Sequence, residues 1–205
     1  TEESDMTGKL YDEIKNRIAL YEDGDIFFTA DFKDIATLAT IRKCLGRQVE
    51  AGSIRRVMDG IYEKPKYSKV LGEYIPTDPE KVANALAKKY HWTISPCGDV
   101  ALNKLGLSTQ VPVVWSYVSD GPYREFTWDN IILSFKHKTN REISLMSHVS
   151  IMVIEAIKTL GKDNCDENAI AILRSRLSRE EKVVLLKDAT DAASWIFDIV
   201  RKVCA

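Results

Sequence analysis

Apolar residues recur at every third or fourth position near the start of the chain, which is the spacing of one face of an α-helix. Four of them fall on a single stripe: Leu10, Ile14, Ile18 and Tyr21. The spacing predicts a first amphipathic helix over about residues 8–21. A short second helix is predicted over residues 30–35, because the Thr29 hydroxyl can accept a hydrogen bond from the backbone at its start.

A third helix is predicted from Leu38 to about Ala51, with Thr37 as its N-terminal cap and Gly52 at its end. Its apolar face is predicted to be buried and consists of Leu38, Ile41, Leu45 and Val49. Another face carries short polar and long basic side chains, namely Thr40, Lys43 and Arg47, with Arg42 at its flank. A helix with this pattern suits docking in the DNA major groove, where such side chains reach base edges and phosphates.

Two β-prone runs follow, at residues 53–58 and 61–65, and Asp59-Gly60 separates them. Asp-Gly between such runs predicts a tight hairpin, because both turn positions need positive φ. Helix, helix, basic helix and basic hairpin is the order of a winged helix-turn-helix, which we predict over residues 1–75. The predicted DNA-binding residues are Thr40, Arg42, Lys43, Arg47, Arg55 and Arg56. A winged helix that binds only protein is the alternative.

The pattern changes at residues 76–79, which form a break in the chain. A capped helix starts there with Pro79 in its first turn, and we predict a second domain over residues 76–205. The first half of this domain is predicted to begin with a helix over residues 79–90 and a short strand over 92–94. Residues 95–99 then lead into a second helix that ends at Leu105-Gly106, and three antiparallel strands follow over 113–118, 124–128 and 131–136. From about residue 144 the chain reads as helical. The fold class predicted is α+β, with an antiparallel sheet and a helical C-terminus.

Charge is distributed unevenly along the chain. The 205 residues carry a net charge of −1, which excludes a disordered polyelectrolyte and a uniformly basic nucleic-acid coat protein. Residues 37–70, however, carry 8 basic and 3 acidic groups, whereas residues 1–36 carry 4 basic and 10 acidic groups. A local basic surface is typical of a protein that binds the phosphate backbone. A solvated charged face is the alternative.

Several short stretches are similar to one known family: Ile41-Arg42-Lys43-Cys44-Leu45, Gly52-Ser53-Ile54-Arg55-Arg56-Val57, Gly60-Ile61-Tyr62, Pro65-Lys66-Tyr67-Ser68, Ala101-Leu102-Asn103, the run from Leu105 to Pro112, and Asp120-Gly121-Pro122. Over roughly residues 8–145 they resemble the AbiEi antitoxins of bacterial abortive-infection systems. The resemblance implies an antitoxin that binds double-stranded DNA at its own promoter, represses it, and counteracts a nucleotidyltransferase-like toxin. Gly46 and Gln48 depart from the family pattern, since a helix former and an apolar residue are usual there.

No catalytic constellation emerges from the sequence. There is no glycine-rich phosphate loop, and the only Asp-x-Asp, at residues 23–25, lies in a predicted turn. Asp99, Glu125 and Lys136 are the nearest approximation to a metal-dependent nuclease site. We therefore predict a protein that is not an enzyme and holds no cofactor or metal. A possible second basic patch consists of Lys136, His137, Lys138 and Arg141.

The remaining features indicate a cytoplasmic protein without a membrane partner. No apolar run approaches the roughly 20 residues of a membrane helix, and no leader is recognisable. The four cysteines, which lie far apart, predict neither a zinc site nor a disulfide framework. Two alternatives to the antitoxin stay open: a nucleic-acid-processing enzyme that its winged helix targets, and a transcriptional regulator without a toxin partner.

Overall fold

The computed structural model describes residues 2–205 of the chain, with side chains from Gly8 onward. The chain forms two compact units, the first ending at Ala85 and the second beginning at Leu86. The division lies ten residues beyond the end of the predicted first domain. The mixed α+β class, with antiparallel strand pairing and a helical C-terminal region, is confirmed.

The N-terminal unit is built from helices and short strands. In chain order its elements are α1 (Glu2–Ala19), β1 (Ile26–Phe28), a 3₁₀ turn (Thr29–Phe32), α2 (Leu38–Glu50), β2 (Arg55–Met58), β3 (Ile61–Glu63), β4 (Tyr67–Ser68), β5 (Glu73–Tyr74) and the start of α3 (Pro79–Tyr90). Strands β1, β3 and β2 lie side by side in that order and pair antiparallel. Strands β4 and β5 form a separate hairpin.

The third predicted helix and the predicted hairpin are confirmed. Thr37 caps α2, since its hydroxyl accepts a hydrogen bond from the Thr40 N–H at 3.4 Å. In the turn between β2 and β3, Gly60 adopts φ +71°, a conformation that favours glycine, but Asp59 does not have the positive φ that the predicted tight turn requires at both positions. Leu38 was predicted to be buried, but it is exposed at the first position of the helix.

The second predicted helix, over residues 30–35, is wrong in its extent. The chain makes only the 3₁₀ turn there. The Asp31 carboxylate accepts a hydrogen bond from the Phe28 N–H at 2.7 Å and so tightens the turn directly after β1. Backbone bonds from Ile35 and Ala36 then return to the Phe32 carbonyl, and the chain turns toward the start of α2. The few residues between the 3₁₀ turn and α2 therefore do not form a further α-helix.

One hydrophobic core fills the N-terminal unit. It is formed by side chains from α1, β1, the 3₁₀ turn, α2 and the β2–β3 region: Ile14, Ile18, Phe27, Phe32, Ile41, Cys44, Leu45, Ile54 and Tyr62. Phe27 lies at its centre, with its ring 4.9 Å from that of Tyr21 and 5.9 Å from that of Phe32. The core therefore fixes α2 by one face and leaves its other face to solvent.

Gln48 is a polar residue within this core. Its side chain is 2% exposed, and the amide Nε2 has no hydrogen-bond partner. We expect Gln48→Met to raise the free energy of unfolding by about 1–2 kcal/mol, because an unpaired buried amide costs about that much and methionine has a similar volume. Urea unfolding measures the change. Glu50→Met, on the exposed side of the same helix, is the control and should have little effect. An unchanged or lower stability of Gln48→Met would contradict the expectation.

The C-terminal unit joins a sheet to a helical bundle. After the end of α3 its elements are β6 (Ile94–Pro96), α4 (Gly98–Lys104), β7 (Val114–Ser119), β8 (Arg124–Trp128), β9 (Ile131–His137), α5 (Asn140–Ile143), α6 (His148–Leu160), α7 (Glu167–Arg176), α8 (Arg179–Asp188) and α9 (Ser194–Cys204), with 3₁₀ turns at Lys162–Asn164 and Ala189–Asp191. Leu173 and Leu185 are fully buried in the core shared by α4 and α6 to α9.

The predicted arrangement of three antiparallel strands is wrong for one pair. The sheet order is β6-β7-β9-β8, and β7 pairs parallel with β9. A tight Asp-Gly hairpin needs positive φ, which Gly121 does not adopt, and Pro122 follows directly. The four residues 120–123 instead span up to about 13 Å, enough to pass the end of β9 and cover two strand spacings of about 4.8 Å each.

Candidate nucleic-acid interface

The exposed side of α2 carries three cations. The buried side of this helix consists of Ile41, Cys44, Leu45 and Gln48. At about 100° per residue, Lys43 lies at the centre of the opposite side, and Arg42 and Arg47 lie at its two edges. All three side chains are exposed. The basic face of α2, as we call these three residues, is therefore accessible along its full width.

The cations of this face are largely free of internal partners. Among the side chains that the structure describes, Arg42 and Lys43 make no ion pair or hydrogen bond. The Arg47 guanidinium lies 6.0 Å from the Tyr11 ring centroid, a cation–π contact that leaves its donors open to an anion. Thr40, in contrast, is occupied at the helix start, with its hydroxyl 3.0 Å from that of Thr37. It is the least available of the predicted contacts on α2.

Gly46, which is half-buried, lies between these cations, and no described atom outside its own helix backbone comes within 4 Å of the place where a Cβ would be. Packing within the unit therefore does not require a glycine. We expect Gly46→Ala to raise the free energy of unfolding by about 1 kcal/mol, the cost of glycine in a helix interior. Thermal or urea unfolding tests this, with Ala51→Gly at the exposed helix end as the reverse control. A loss of stability on Gly46→Ala would show that the position is constrained.

The two arginines of the hairpin have different environments. The Arg55 Nη1 lies 3.2 Å from the Glu63 carboxylate and donates to the Ile75 carbonyl at 3.1 Å. Thr77 donates to the same carboxylate at 2.7 Å. Arg55 therefore ties β2 and β3 to the segment that leads into α3, whereas Arg56 is exposed and, among the described side chains, pairs only with Asp59, at 2.6 Å. Of the two, Arg56 is available to a ligand.

Glu63 makes this tie sensitive to pH. The carboxylate is only 3% exposed. Burial raises the pKa of Glu63 above its ordinary value, and the hydrogen bond from Thr77 and the charge of Arg55 offset this only in part. The ionised Glu63 carboxylate therefore depends on the nearby charge of Arg55 for its stabilisation.

The structure does not gather the second basic patch into one free surface. Lys138 lies 3.9 Å from Glu155, and Arg141 lies 2.8 Å from Asp191. His137 contacts the Gly121 carbonyl through Nδ1 at 2.8 Å. Lys136 is exposed and makes neither an ion pair nor a hydrogen bond among the described side chains, whereas His137 is exposed but is held by its hydrogen bond.

Lys138 and Arg141 line a cavity of about 680 Å³ between α5, α6 and the start of α9. Its floor is apolar, with Ile143, Ile151 and Ile196. The charged residues of its lining are balanced, four basic and four acidic: Lys138, Arg141, Lys158, Lys187, Glu142, Glu155, Asp188 and Asp191. The balance does not favour a polyanion at this place.

The motif at residues 105–112, to which the sequence assigned no chemistry, completes a helix end. Gly106, at φ +76°, follows the last turn of α4, and its N–H donates to the Asn103 carbonyl at 3.0 Å. The Leu107 N–H donates to the Leu102 carbonyl at 2.8 Å. This pair of bonds is the Schellman motif, which satisfies the last carbonyls of a helix.

The Asn103 side chain then orders the loop beyond the cap. Its amide donates to the Ser108 carbonyl at 3.4 Å and to the Gln110 carbonyl at 3.1 Å. The Ser108 hydroxyl accepts from the Gln110 N–H at 3.2 Å. The side chains of Asn103 and Ser108 therefore determine the shape of this loop.

The motif Asp120-Gly121-Pro122 also has a structural role, as the link between β7 and β8. The Asp120 carboxylate accepts from the Thr93 N–H at 2.8 Å, and the Ser119 hydroxyl accepts from the Gly121 N–H at 3.0 Å. Gly121 lies directly against the Trp92 indole, where a Cβ would overlap with the ring. Trp92 cannot easily move, since its ring is stacked on Tyr90 and lies edge-on to Phe135.

We expect Gly121→Ala to lower the free energy of unfolding by about 2–3 kcal/mol, the upper part of the usual range for overpacking, because the added Cβ would overlap with the Trp92 ring. Chemical unfolding followed by tryptophan fluorescence measures it. Gly8→Ala is the matched control and should not lower the stability, because no described atom outside its own helix lies within 4 Å of the added Cβ. A relieving variant, Gly121→Ala with Trp92→Phe, should regain part of the loss, and a failure of Gly121→Ala to destabilise the protein would contradict the assigned contact.

Asp99 and Glu125 belong to no metal-binding group among the described residues. In the part of the chain that the structure describes, no three histidine, cysteine or acidic side chains come together where they could hold a metal ion. Burial raises the pKa of the Cys97 thiol to about 11, and it also raises the pKa of the Cys44 thiol. Neither cysteine is an activated nucleophile, because the thiolate is the reactive form.

These features define a protein of two α+β units, of which the first presents an exposed basic helix face beside a β-hairpin. Among the described residues no helix is both long and apolar enough to cross a membrane. The chain belongs to DUF6088, a family of unknown function, whose model matches residues 13–185. No curated protein matches the chain.

Proposed function

We propose that the chain is a DNA-binding repressor of its own promoter and the antitoxin of an AbiE-like system, and that it is not an enzyme. The observation that carries the DNA-binding part is the basic face of α2, three exposed cations on one side of a helix whose other side is fixed in the core. Such a face offers guanidinium and ammonium donors to phosphates and guanine edges without first breaking an ion pair with any described side chain.

The order of elements supports a winged helix-turn-helix in the N-terminal unit. A helix, a short strand, a single turn of helix, α2 and the hairpin β2–β3 follow one another, and β1 pairs with β3. In winged helix-turn-helix proteins the helix before the hairpin enters the major groove and the hairpin contacts the flanking backbone. The proposal therefore gives α2 the recognition role.

We assign the DNA contacts to the exposed basic side chains of α2 and the hairpin. Lys43 faces the groove from the centre of the basic face, and Arg42 and Arg47 reach the two flanks. Arg56, on the hairpin β2–β3, contacts the adjacent phosphates. Arg55 has an internal role beside Glu63, and we leave it out of the proposed contacts.

Titration of the chain's own upstream DNA at several salt concentrations tests this proposal. With about four phosphate contacts, the logarithm of the binding constant should fall against that of the salt concentration with a slope near −3 to −4. DNA of random sequence is the control, and it should bind more weakly with a comparable slope. Absence of binding, or binding that salt does not affect, would refute the DNA-binding role.

The antitoxin part rests on the resemblance of the motifs to the AbiEi antitoxins and is tested separately. A neighbouring gene for a nucleotidyltransferase-like protein, expressed alone, should arrest growth, and co-expression of the full chain should restore it. The Arg42→Ala/Arg47→Ala variant should restore growth as well while losing repression. Repression without any rescue of growth would leave a transcriptional regulator without a toxin partner.

A further inference from the structure

The hairpin β4–β5 exposes apolar side chains that the unit does not use. Val70 is 95% exposed and Leu71 is 68% exposed at its tip, and the strands below them carry Tyr67 and Tyr74, each about half exposed. Exposure of aliphatic side chains to water is unfavourable, and burying each one against a partner contributes about 1.5–3 kcal/mol to the free energy of binding. A tip of this kind is therefore a candidate contact surface.

The hairpin holds this tip in one conformation. The Leu71 N–H donates to the Ser68 hydroxyl at 3.2 Å, and the Gly72 N–H donates to the Ser68 carbonyl at 2.9 Å. The rings of Tyr67 and Tyr74 meet edge-on at 5.2 Å across the two strands. A preformed tip loses little conformational freedom on binding.

The base of the hairpin is anchored as well. The Ile75 N–H donates to the Lys66 carbonyl at 2.8 Å, and the Ile75 carbonyl accepts from Arg55, the residue that pairs with buried Glu63. The exposed tip is thus attached to the interior of the N-terminal unit through a defined set of contacts.

The charge of the hairpin indicates the partner. Lys69 lies directly before the tip and Lys66 lies at the base of the hairpin; both are exposed and form no ion pair among the described side chains. Glu73 is the only acidic residue between Lys64 and Ile75. A basic hairpin with an apolar tip is complementary to a polyanion that also offers apolar surface, as the stacked bases of DNA do.

We propose that β4–β5 is a second DNA-contacting element, with Lys66 and Lys69 on phosphates and the Val70-Leu71 tip inserted as a wedge from the minor groove; this rests on the proposed DNA-binding function. Valine and leucine neither donate nor accept hydrogen bonds, so they cannot read base edges. They can press on a base step, unstack it and bend the duplex. The partner is double-stranded DNA, and the effect is a bend.

A second copy of the chain is the less favoured occupant. In a two-fold symmetric contact through the tip, the lysines of one copy would lie near the same lysines of the other, and like charges repel. Strands β4 and β5 have two residues each, which is too short for stable edge-to-edge pairing.

The experiment compares the full chain with Val70→Ser/Leu71→Ser and with Lys66→Ala/Lys69→Ala. The control is Val183→Ser, an exposed apolar position on α8. Affinity and salt slope come from titration of the upstream DNA, and the bend comes from energy transfer between dyes at the two duplex ends. We expect the tip variant to bind about tenfold weaker with an unchanged salt slope and without the bend. If Lys66 and Lys69 add two phosphate contacts to those of α2 and Arg56, the slope of the full chain should be near −5, and the lysine variant should flatten it by about 2.

The outcomes separate this proposal from the function on which it rests. If the full chain binds DNA but the tip variant binds and bends it equally well, the wedge is refuted while the repressor stands. If sedimentation shows a dimer that only the tip variant dissociates, the tip is a contact between copies and the proposal is overturned. If the full chain does not bind DNA at all, the repressor falls, and the wedge with it.

Discussion

Replacing Arg42 and Arg47 together by alanine is expected to weaken binding to the upstream DNA about 100-fold, because each arginine contributes about 1–3 kcal/mol when it contacts a guanine edge or a phosphate. The two residues lie at opposite edges of the basic face of α2, so their removal leaves Lys43 alone at its centre. Neither side chain belongs to the core, and the free energy of unfolding should stay nearly the same.

A matched variant removes the same charge elsewhere. Arg179→Ala/Arg201→Ala takes two exposed arginines from the C-terminal unit and should change the affinity less than about twofold, a long-range effect that salt screens. Titration of both variants against promoter and random DNA, together with urea unfolding, measures the difference. Equal losses in the two variants would mean that only net charge matters and that α2 has no recognition role.

The second large effect concerns stability. Arg55→Ala is expected to lower the free energy of unfolding by about 2–3 kcal/mol at neutral pH, since it leaves the Glu63 carboxylate buried without its cation. Arg56→Ala, one residue later, removes an exposed pair with Asp59 and should cost less than about 0.5 kcal/mol. The DNA affinity should show the reverse order, with the larger loss for Arg56→Ala.

The stability lost in Arg55→Ala is expected to depend on pH in one direction. Because the pKa of Glu63 is raised in the folded protein, a protonated Glu63 stabilises folding at low pH, and this contribution disappears as pH rises through the raised pKa. The deficit of Arg55→Ala should therefore shrink as the solution is acidified. Glu63→Gln in the Arg55→Ala background should recover part of the stability at neutral pH. Equal costs for the two arginines at every pH would contradict the assigned roles.

The sequence predicted the local elements that are determined by neighbouring residues. The Thr37 cap, the positive φ of Gly60 and the span of α3 depend on side chains within a few positions of one another, and these appear as expected. The basic face of α2 was visible for the same reason, since helical periodicity alone decides which side chains share a face. Interactions between residues that are close in sequence are thus sufficient to predict this part of the candidate site.

The remaining features depend on residues that are distant in sequence. On a strand, neighbouring side chains point to opposite faces, and only the register decides which of Arg55 and Arg56 turns inward. The partners that occupy Lys138 and Arg141 are Glu155 and Asp191, 17 and 50 positions further along the chain. The parallel pairing of β7 with β9 likewise arises from a crossover that no local pattern specifies.

The cysteines give each unit an internal reporter of its own opening. Cys44 lies in the core of the N-terminal unit, and Cys97 is buried in the C-terminal unit. Because both thiols are shielded and their pKa values are raised, a thiol reagent reacts only when the surrounding structure opens. Labelling rates at these two positions, with Cys165 and Cys204 replaced by serine, would therefore yield a separate opening free energy for each unit in the intact chain. Native-state reactivity would then report whether DNA holds the first unit closed while the second continues to fluctuate independently.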